Sequence, residues 1–380
     1  MSMSDTTRRR FFKTVADGGL ALLTLSVSAR ALGLPASAQT PEKIVLGSLP
    51  INPLIAAYVG PVDFFKEEGL YVEITRFQAG PAMMQGVVAG NVVVGDTGLV
   101  PALVAMARGV PIIAPYLTAF CTPSHPFERI MVRQDSAIRS FDDLKGKKLA
   151  ILGRGTVPDL MLGALARKSK IRREDVEIVL LPPPSQPAAL AQGQVDAIFA
   201  TPPTDTVAER QYGARTLANG TDLVPFLGLT TVAVRRDFAE AHPEPTRRLF
   251  KACIRFARWI EDNQVLARST AAKTLDLPSE LGAQARIPLF ARNGLPVMPN
   301  VWHAYEMLVQ AKTLEPHPDP VKLINDAVVE PAKRYVHPAL EELGWQPDPQ
   351  VEAMLKGEYP LLPKPPASYY ADWERRLLKL

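Results

Sequence analysis

Small polar residues recur in this 380-residue chain at points where a predicted strand gives way to a helix or a turn. Backbone N–H groups at the start of a helix have no partner within the helix, so they can hold an anion or another small polar group. Ordinary helix capping explains any one such loop, but several at one edge of a sheet favour a ligand site. The loops rich in glycine and hydroxyl residues are 48–53, 95–98, 118–125, 153–156 and 201–204.

Strands and helices that alternate along the chain are predicted to position these loops. Apolar runs at 44–46, 71–77 and 92–94 predict strands, and the pattern at 99–108 predicts a helix closed by a glycine. This βαβ rhythm is typical of an α/β protein in which a mainly parallel sheet is flanked by helices. Ligands of such sheets bind beyond the carboxyl ends of the strands. The rhythm resumes after Asp135 and predicts a second α/β unit.

Composition and charge describe an ordinary globular protein and exclude several partners. Hydrophobic residues make up 47% of the chain and charged residues 22%. The formal net charge is +4, of which residues 1–38 contribute three, with five Lys/Arg against two Asp/Glu. The rest is near +1 and has no field that would attract nucleic acid or an acidic membrane. Its length, about 340 residues, favours two domains. Cys121 and Cys253 are expected to be separate buried thiols.

The first 38 residues contain the three parts of a twin-arginine export signal in order. Residues 7–13 are TRRRFFK, which supplies the paired arginines, two aromatics and a lysine. Residues 18–29 are apolar and uncharged, but too short for a membrane span of about 18 residues. The sequence Ala-Ser-Ala at 36–38 offers the small residues that a signal peptidase needs. We therefore expect export by the twin-arginine pathway, cleavage near Gln39 and a free periplasmic protein.

The chain lacks the short motifs of common catalytic and cofactor sites. It contains no His-Glu-x-x-His, no Gly-x-Ser-x-Gly and no Gly-Lys-Ser/Thr phosphate loop. The segment Gly153-Arg154-Gly155 lacks the third glycine of a dinucleotide loop, because Pro158 stands there. The five histidines have no spacing that suits a metal. From these residues we expect no metal, no cofactor and no enzymatic activity.

Four motifs carry a family resemblance. The most specific are FFKEEGL at 64–70 and GNVVVGD at 90–96, and the match extends through SFDDLKGKKLAI at 140–151 and GQVDAIFATPP at 193–203. With these motifs, the chain resembles the solute-binding proteins of nitrate-, sulfonate- and taurine-type ABC importers. This SsuA- and NMT1-like group also includes binders of thiamine pyrimidine precursors. The chain departs from the group at Val93, where an acidic residue is usual.

The resemblance implies a two-lobed, type II periplasmic-binding-protein fold, in which each lobe is a mainly parallel sheet flanked by helices. Segments 127–133 and 228–234 would cross between the lobes, which would close on the ligand and present a new surface to a permease. The implied parts are residues 41–132 plus 234–330 as lobe 1, 133–233 as lobe 2, and 331–380 as a helical or extended tail.

Carried over by position, the resemblance also implies a set of ligand contacts. Arg154 would pair with a sulfonate or carboxylate, because its planar fork suits oxyanions, although a solvated loop arginine explains it equally. His125 would contact the solute or serve as a structural loop residue. The implied contacts are Asn52, Gly80, Thr97, Gly98, Thr122, Ser124, His125, Arg154, Thr156 and Thr201.

The function that the resemblance implies is that of a binding component in an ABC importer. A monomer would capture a small anionic or polar organic solute and deliver it to the permease and ATPase at the inner membrane. A sulfonate, nitrate, an aromatic carboxylate and a pyrimidine all remain open as the solute. The alternatives are a pyrimidine-precursor binding protein or enzyme of the same fold, and a sensor that reports the ligand to a receptor.

Overall fold

The computed structural model of the chain describes residues 42–49 and 62–355. The predicted export signal, the candidate contact Asn52 and the last part of the predicted tail lie outside the described residues. Among the described residues, no helix has the length and apolar character to cross a membrane.

The strands of the described residues lie in two sheets. The first sheet has the order β11-β4-β10-β3-β1-β2, and the second has the order β7-β6-β8-β5-β9. The strands are β1 Glu42–Ser48, β2 Leu70–Arg76, β3 Val94–Gly98, β4 Ile112–Cys121, β5 Arg129–Val132, β6 Lys148–Ile151, β7 Glu177–Leu180, β8 Ala197–Ala200, β9 Arg215–Asn219, β10 Leu227–Arg235 and β11 Leu289–Phe290.

Helices connect these strands and cover both sheets. The α-helices are α1 Phe64–Glu67, α2 Gly80–Val88, α3 Leu99–Ala107, α4 Val157–Leu162, α5 Gln186–Ala191, α6 Thr204–Tyr212, α7 Gly220–Leu223, α8 Arg236–Ala241, α9 Pro243–Asp262, α10 Gln264–Thr274, α11 Ser279–Gln284, α12 Met298–Gln310, α13 Pro320–Ile324, α14 His337–Leu343 and α15 Pro349–Leu355. Short 3₁₀ turns lie at Asp142–Leu144, Leu165–Arg167, Arg173–Asp175 and Pro183–Ser185, and π turns at Asn325–Val329 and Ala332–Val336.

The α/β fold class is confirmed, but both sheets are mixed rather than mainly parallel. In the first sheet β1 pairs in parallel with β2 and β3, whereas β10 runs antiparallel to both β3 and β4. In the second sheet β6 pairs in parallel with β7 and β8, whereas β5 is antiparallel to β8 and β9. The antiparallel pairs arise where the chain changes sheets, between β4 and β5 and again between β9 and β10. The lobe boundaries remain predictions.

The family-like motif at 64–70 builds the fold rather than the site. Phe64 and Phe65 are buried, and their ring centroids lie 4.9 and 5.0 Å from that of Phe256 on α9. Arg255 on the same helix donates to Glu68 at 2.9 Å. Gly69 ends α1 at φ +70°, a left-handed conformation that other residues adopt at a cost.

The third strand differs in position from its prediction. The sequence predicts a strand at 92–94 and a loop at 95–98, but β3 covers Val94–Gly98. Glycine and aspartate, which make up most of this strand, are depleted in strands. Here they form a strand because β1 lies on one side and β10, from a distant part of the chain, lies on the other. The polar residues of this segment are therefore held in a sheet.

Candidate functional site

A small cavity of about 50 Å³ lies between the two sheets. Gly98 at the end of β3 and Thr230 of β10 approach it from the first sheet. Thr201 after β8 and Thr156 before α4 approach it from the second sheet. Its described lining is Leu49, Gly80, Gly98, Pro101, Phe127, Glu128, Leu152, Thr156, Val157, Pro158, Thr201, Leu229, Thr230 and Pro288.

The start of helix α2 comes close to the start of α3 at this cavity. A Cβ atom at Gly80 would lie 2.6 Å from Pro101 Cγ and 2.8 Å from Thr97 Oγ1. Both distances are shorter than van der Waals contact, so the first residue of α2 must be glycine for the two helices to approach in this way. Of the predicted contacts here, Gly80 and Gly98 line the cavity, whereas Thr97 lies next to Gly80 and is not part of the described lining.

Three buried hydroxyl oxygens, two on residues that line the cavity and one next to the lining residue Gly80, have no hydrogen-bond partner among the described residues. They are Oγ1 of Thr97, Thr201 and Thr230. Thr97 is fully buried and Thr201 is only 2% exposed. Buried hydroxyls in folded proteins usually have a protein or water partner. Two sheets therefore present unsatisfied donors and acceptors to one small space, as a site for a polar ligand does.

Thr156 lies at the cavity, but Arg154 does not line it. Thr156 Oγ1 donates to the Gly153 carbonyl at 2.6 Å, and Asp159 accepts from the Gly155 N–H at 2.8 Å. These two bonds close the loop on itself. Arg154 is exposed and lines a wider groove of about 680 Å³, which shares only Pro101 with the described lining of the cavity.

Thr122, Ser124 and His125 form a local turn instead of lining the cavity. The His125 N–H donates to Thr122 Oγ1 at 3.1 Å, and Ser124 Oγ lies 3.1 Å from the same oxygen. Ser124 Oγ also donates to Gln350 Oε1 on α15 at 3.1 Å. Burial lowers the pKa of His125 below its usual 6.5. The structure gives these residues a hydrogen-bonded role in fixing the turn after β4.

Glu128 is a cavity residue that the sequence reasoning missed. Its side chain lines the cavity, it is 2% exposed, and its Oε2 has no hydrogen-bond partner among the described residues. Burial, with a smaller contribution from Asp205, raises the pKa of this carboxyl well above its usual 4.5. The available signal was an acidic residue directly before a buried strand, in a segment expected to cross between lobes.

A second buried carboxylate, Asp205, lies beside Glu128 and is fully partnered. Arg129 Nε donates to Asp205 Oδ2 at 2.8 Å and Arg286 Nε donates to the same oxygen at 3.0 Å. The Thr206 N–H donates to Asp205 Oδ1 at 2.7 Å. We call Arg129, Asp205, Glu209 and Arg286 the Asp205 cluster, since Glu209 also accepts from Arg129 at 2.7 Å.

The groups at the cavity suit binding by hydrogen bonds. Its described lining contains hydroxyls, a carboxyl and apolar surface, and no Lys, Arg or His. A buried nucleophile with an adjacent general base, which covalent catalysis requires, is not found in that described lining. Cys121 and Cys253 are both buried and form no disulfide, and burial raises the pKa of Cys121 to about 12.

Sequence comparisons relate most of this fold to one family. The model of the NMT1-like family matches residues 37–276. A protein of Escherichia coli K12, provisionally named an aliphatic sulfonates-binding protein, is 34% identical over 148 residues, or 39% of this chain and 45% of that protein. The taurine-binding periplasmic protein of the same strain is 30% identical over 50% of this chain and 58% of its own length. The chain thus matches about half the length of these relatives.

The fold is also similar to solved structures. The periplasmic aliphatic sulphonate-binding protein SsuA of Escherichia coli superposes with a TM-score of 0.61 at 23% identity. The match covers 75% of this chain and 98% of that protein. The two-lobed type II architecture is therefore shared.

Proposed function

Because the chain belongs to the NMT1-like family, we propose that it is the solute-binding component of an ABC importer. It captures a small polar or anionic organic solute between its two sheets, of the sulfonate, taurine or nitrate type, and delivers it to a permease and its ATPase. The names of two relatives, one for aliphatic sulfonates and one for taurine, support this class of solute.

The observation that carries the proposal is the set of unsatisfied hydroxyls at the cavity. Thr97 and Thr230 belong to strands of the first sheet, whereas Thr201 directly follows β8 of the second, and all three oxygens lack a partner within the described residues. A solute that bonds to both groups links the sheets, so it favours their close approach over separation. Such differential affinity is what drives domain closure in a binding protein.

The contacts we propose for the solute are those that the structure brings to the cavity. Gly80, Gly98, Thr156 and Thr201 line the cavity, Thr97 lies next to Gly80, and Asn52 remains a prediction outside the described residues. The lobe division, the monomeric state, the periplasmic location and export by the twin-arginine pathway belong to the same proposal. A solute-binding protein of this kind acts without changing its ligand chemically.

Binding of candidate solutes to the purified chain tests the proposal. The protein is unfolded and refolded to remove carried solute, and its thermal unfolding is followed with alkyl sulfonates, taurine, nitrate, aromatic carboxylates and pyrimidines. A solute at a hundred times its dissociation constant stabilises by about 2.7 kcal/mol. Recovery of the solute unchanged supports a binding protein, whereas its consumption would establish an enzyme of this fold.

Replacing one cavity hydroxyl locates the bound solute. We expect Thr201→Val to weaken binding by about tenfold, because it removes a hydrogen bond while keeping the shape. Thr274→Val is the matched control, since its hydroxyl bonds within α10 to Thr270 O. Arg154→Gln is a second comparison, and we expect a change of less than about twofold because Arg154 lines the outer groove. Equal losses in all three variants would contradict the assignment of the cavity.

A further inference from the structure

We propose that Glu128 makes the cavity selective for solutes that carry a protonated amine or another cationic N–H group. The inference rests on the proposed binding function and names the charge that the solute must present. The cationic end of the solute contacts Glu128, and the oxygen-bearing end hydrogen-bonds to the cavity hydroxyls.

The backbone holds Glu128 tightly at the cavity. The Gly220 N–H donates to the Glu128 carbonyl at 2.8 Å, and a Cβ at Gly220 would lie 2.9 Å from Glu128 Cβ. The residue therefore sits directly against the segment that returns from the second sheet. With 2% exposure, its side chain cannot reach solvent without a movement of these elements. Its carboxyl is fixed as part of the cavity lining.

The charged groups around Glu128 are committed elsewhere. Arg286, on the segment after α11, uses its N–H groups on Asp205, on Asn219 Oδ1 and on the Phe127 carbonyl. Arg129 donates to Asp205 and Glu209. Asp205 on α6 acts on Glu128 by like-charge repulsion, and Arg286 offsets this repulsion only in part.

The neighbouring Cys121 thiol is uncharged. Cys121 on β4 is buried and protonated, since its pKa is raised to about 12. The described lining of the cavity contains no Lys, Arg or His, and Arg286, which acts on Glu128 from outside that lining, is bonded to other acceptors, so no described cation pairs directly with an ionised Glu128. A buried carboxylate without a partner is costly, and an opposite charge on the solute is what removes that cost.

The direction in which affinity changes with pH distinguishes binding of a cationic solute from binding of an anionic one. In the empty protein Glu128 is held neutral, because burial and Asp205 raise its pKa. A cationic solute binds the ionised form, so binding releases a proton and affinity rises with pH. A permanently anionic solute would instead need the neutral carboxyl as a hydrogen-bond donor, and its affinity would fall as pH rises.

Calorimetric titration with matched solutes tests the inference. Taurine is compared with ethanesulfonate, and β-alanine with propanoate, so that each pair differs by the amine. We expect the amine to bind about tenfold more tightly or better to the unmodified protein, and its affinity to rise from about pH 5.5 to about pH 8. Glu128→Gln, which keeps the shape and removes the charge, should abolish the preference, and Glu209→Gln, outside the cavity, should retain it.

Two results would overturn the inference and leave the proposed function standing. One is equal or tighter binding of the amine-free member of each pair, and the other is an affinity that falls as pH rises. If no compound of either kind binds, the proposed function itself fails for these solutes and the inference falls with it.

Discussion

Glu128 at the cavity and Asp205 in its cluster are both buried carboxyl groups, but they differ in how many hydrogen-bond partners the protein gives them. Asp205 is fully buried and accepts from two arginines and a backbone N–H. Glu128 is almost as buried and leaves Oε2 without a partner among the described residues. The protein thus supplies hydrogen-bond partners for both carboxylate oxygens of Asp205. Glu128 leaves one carboxyl oxygen for which, in our proposal, the bound solute supplies the partner.

The neighbouring hydroxyls repeat the difference within one short segment. Thr206 Oγ1 donates to Asp205 Oδ1 at 3.2 Å, whereas Thr201 Oγ1, five residues earlier, has no partner in the described structure. Both threonines are buried. The same residue type is therefore hydrogen-bonded where it contacts the Asp205 cluster and without a described partner at the cavity.

The largest expected effect comes from removing the charge of Asp205. We expect Asp205→Asn to lower the free energy of unfolding by about 3 kcal/mol, because Arg129 and Arg286 would lose the buried charge they share. Urea unfolding measures the loss. Asp237→Asn is the matched control, since Asp237 pairs with Arg235 at an exposed site, and it should cost less than about 1 kcal/mol. Similar losses in both variants would show that the Asp205 cluster has no special structural role.

Replacing the titratable carboxyl of Glu128 should raise the free energy of unfolding, by an amount that depends on pH. The folded protein holds this carboxyl neutral above 4.5, where the unfolded chain releases the proton. The unfolded state then binds fewer protons, so the unmodified protein loses stability as pH rises through this window. Relative to it, Glu128→Gln should gain up to about 1.4 kcal/mol for each pH unit.

Urea unfolding of both proteins at pH values from about 4.5 to about 7.5 measures this gain. A constant difference across the series would mean that Glu128 is ionised in the folded empty protein. It would then have a charged partner, and the contrast with Asp205 would disappear. A growing difference would show that Glu128 stays neutral in the folded empty protein, as the contrast with Asp205 requires.

The sequence predicted the scaffold better than the chemistry of the site. Local patterns placed the predicted helix 99–108 and the strand 71–77 within a residue or so of α3 and β2, because burial repeats along each element with a fixed period. The strand β3 was placed too early, since its polar residues become a strand only through pairing with β10. Such pairing joins segments far apart in the chain and leaves no local pattern.

The loops that follow strands predicted some of the site residues and missed others. Gly98, Thr156 and Thr201 lie at the cavity and belong to three of the loops that the sequence singled out, whereas Gly80 came from the family resemblance. Arg154 was attractive because of its charge, but the bonds of its own loop place it on the outer groove. Glu128 was overlooked because a single glutamate beside an apolar run is ordinary, and its lack of a partner exists only in three dimensions.

The smallest expected effect lies at the exposed edge of the Asp205 cluster. Glu209 also pairs with Arg129, at 2.7 Å, but its side chain is 39% exposed. Water and salt screen such a pair, so we expect Glu209→Gln to cost about 0.5 kcal/mol, measured by urea unfolding. Raising the salt concentration should reduce that cost further and leave most of the Asp205→Asn loss in place. A loss of stability for Glu209→Gln as large as for Asp205→Asn would mean that the total charge of the cluster stabilises the fold. Burial would then not determine how much each carboxylate contributes.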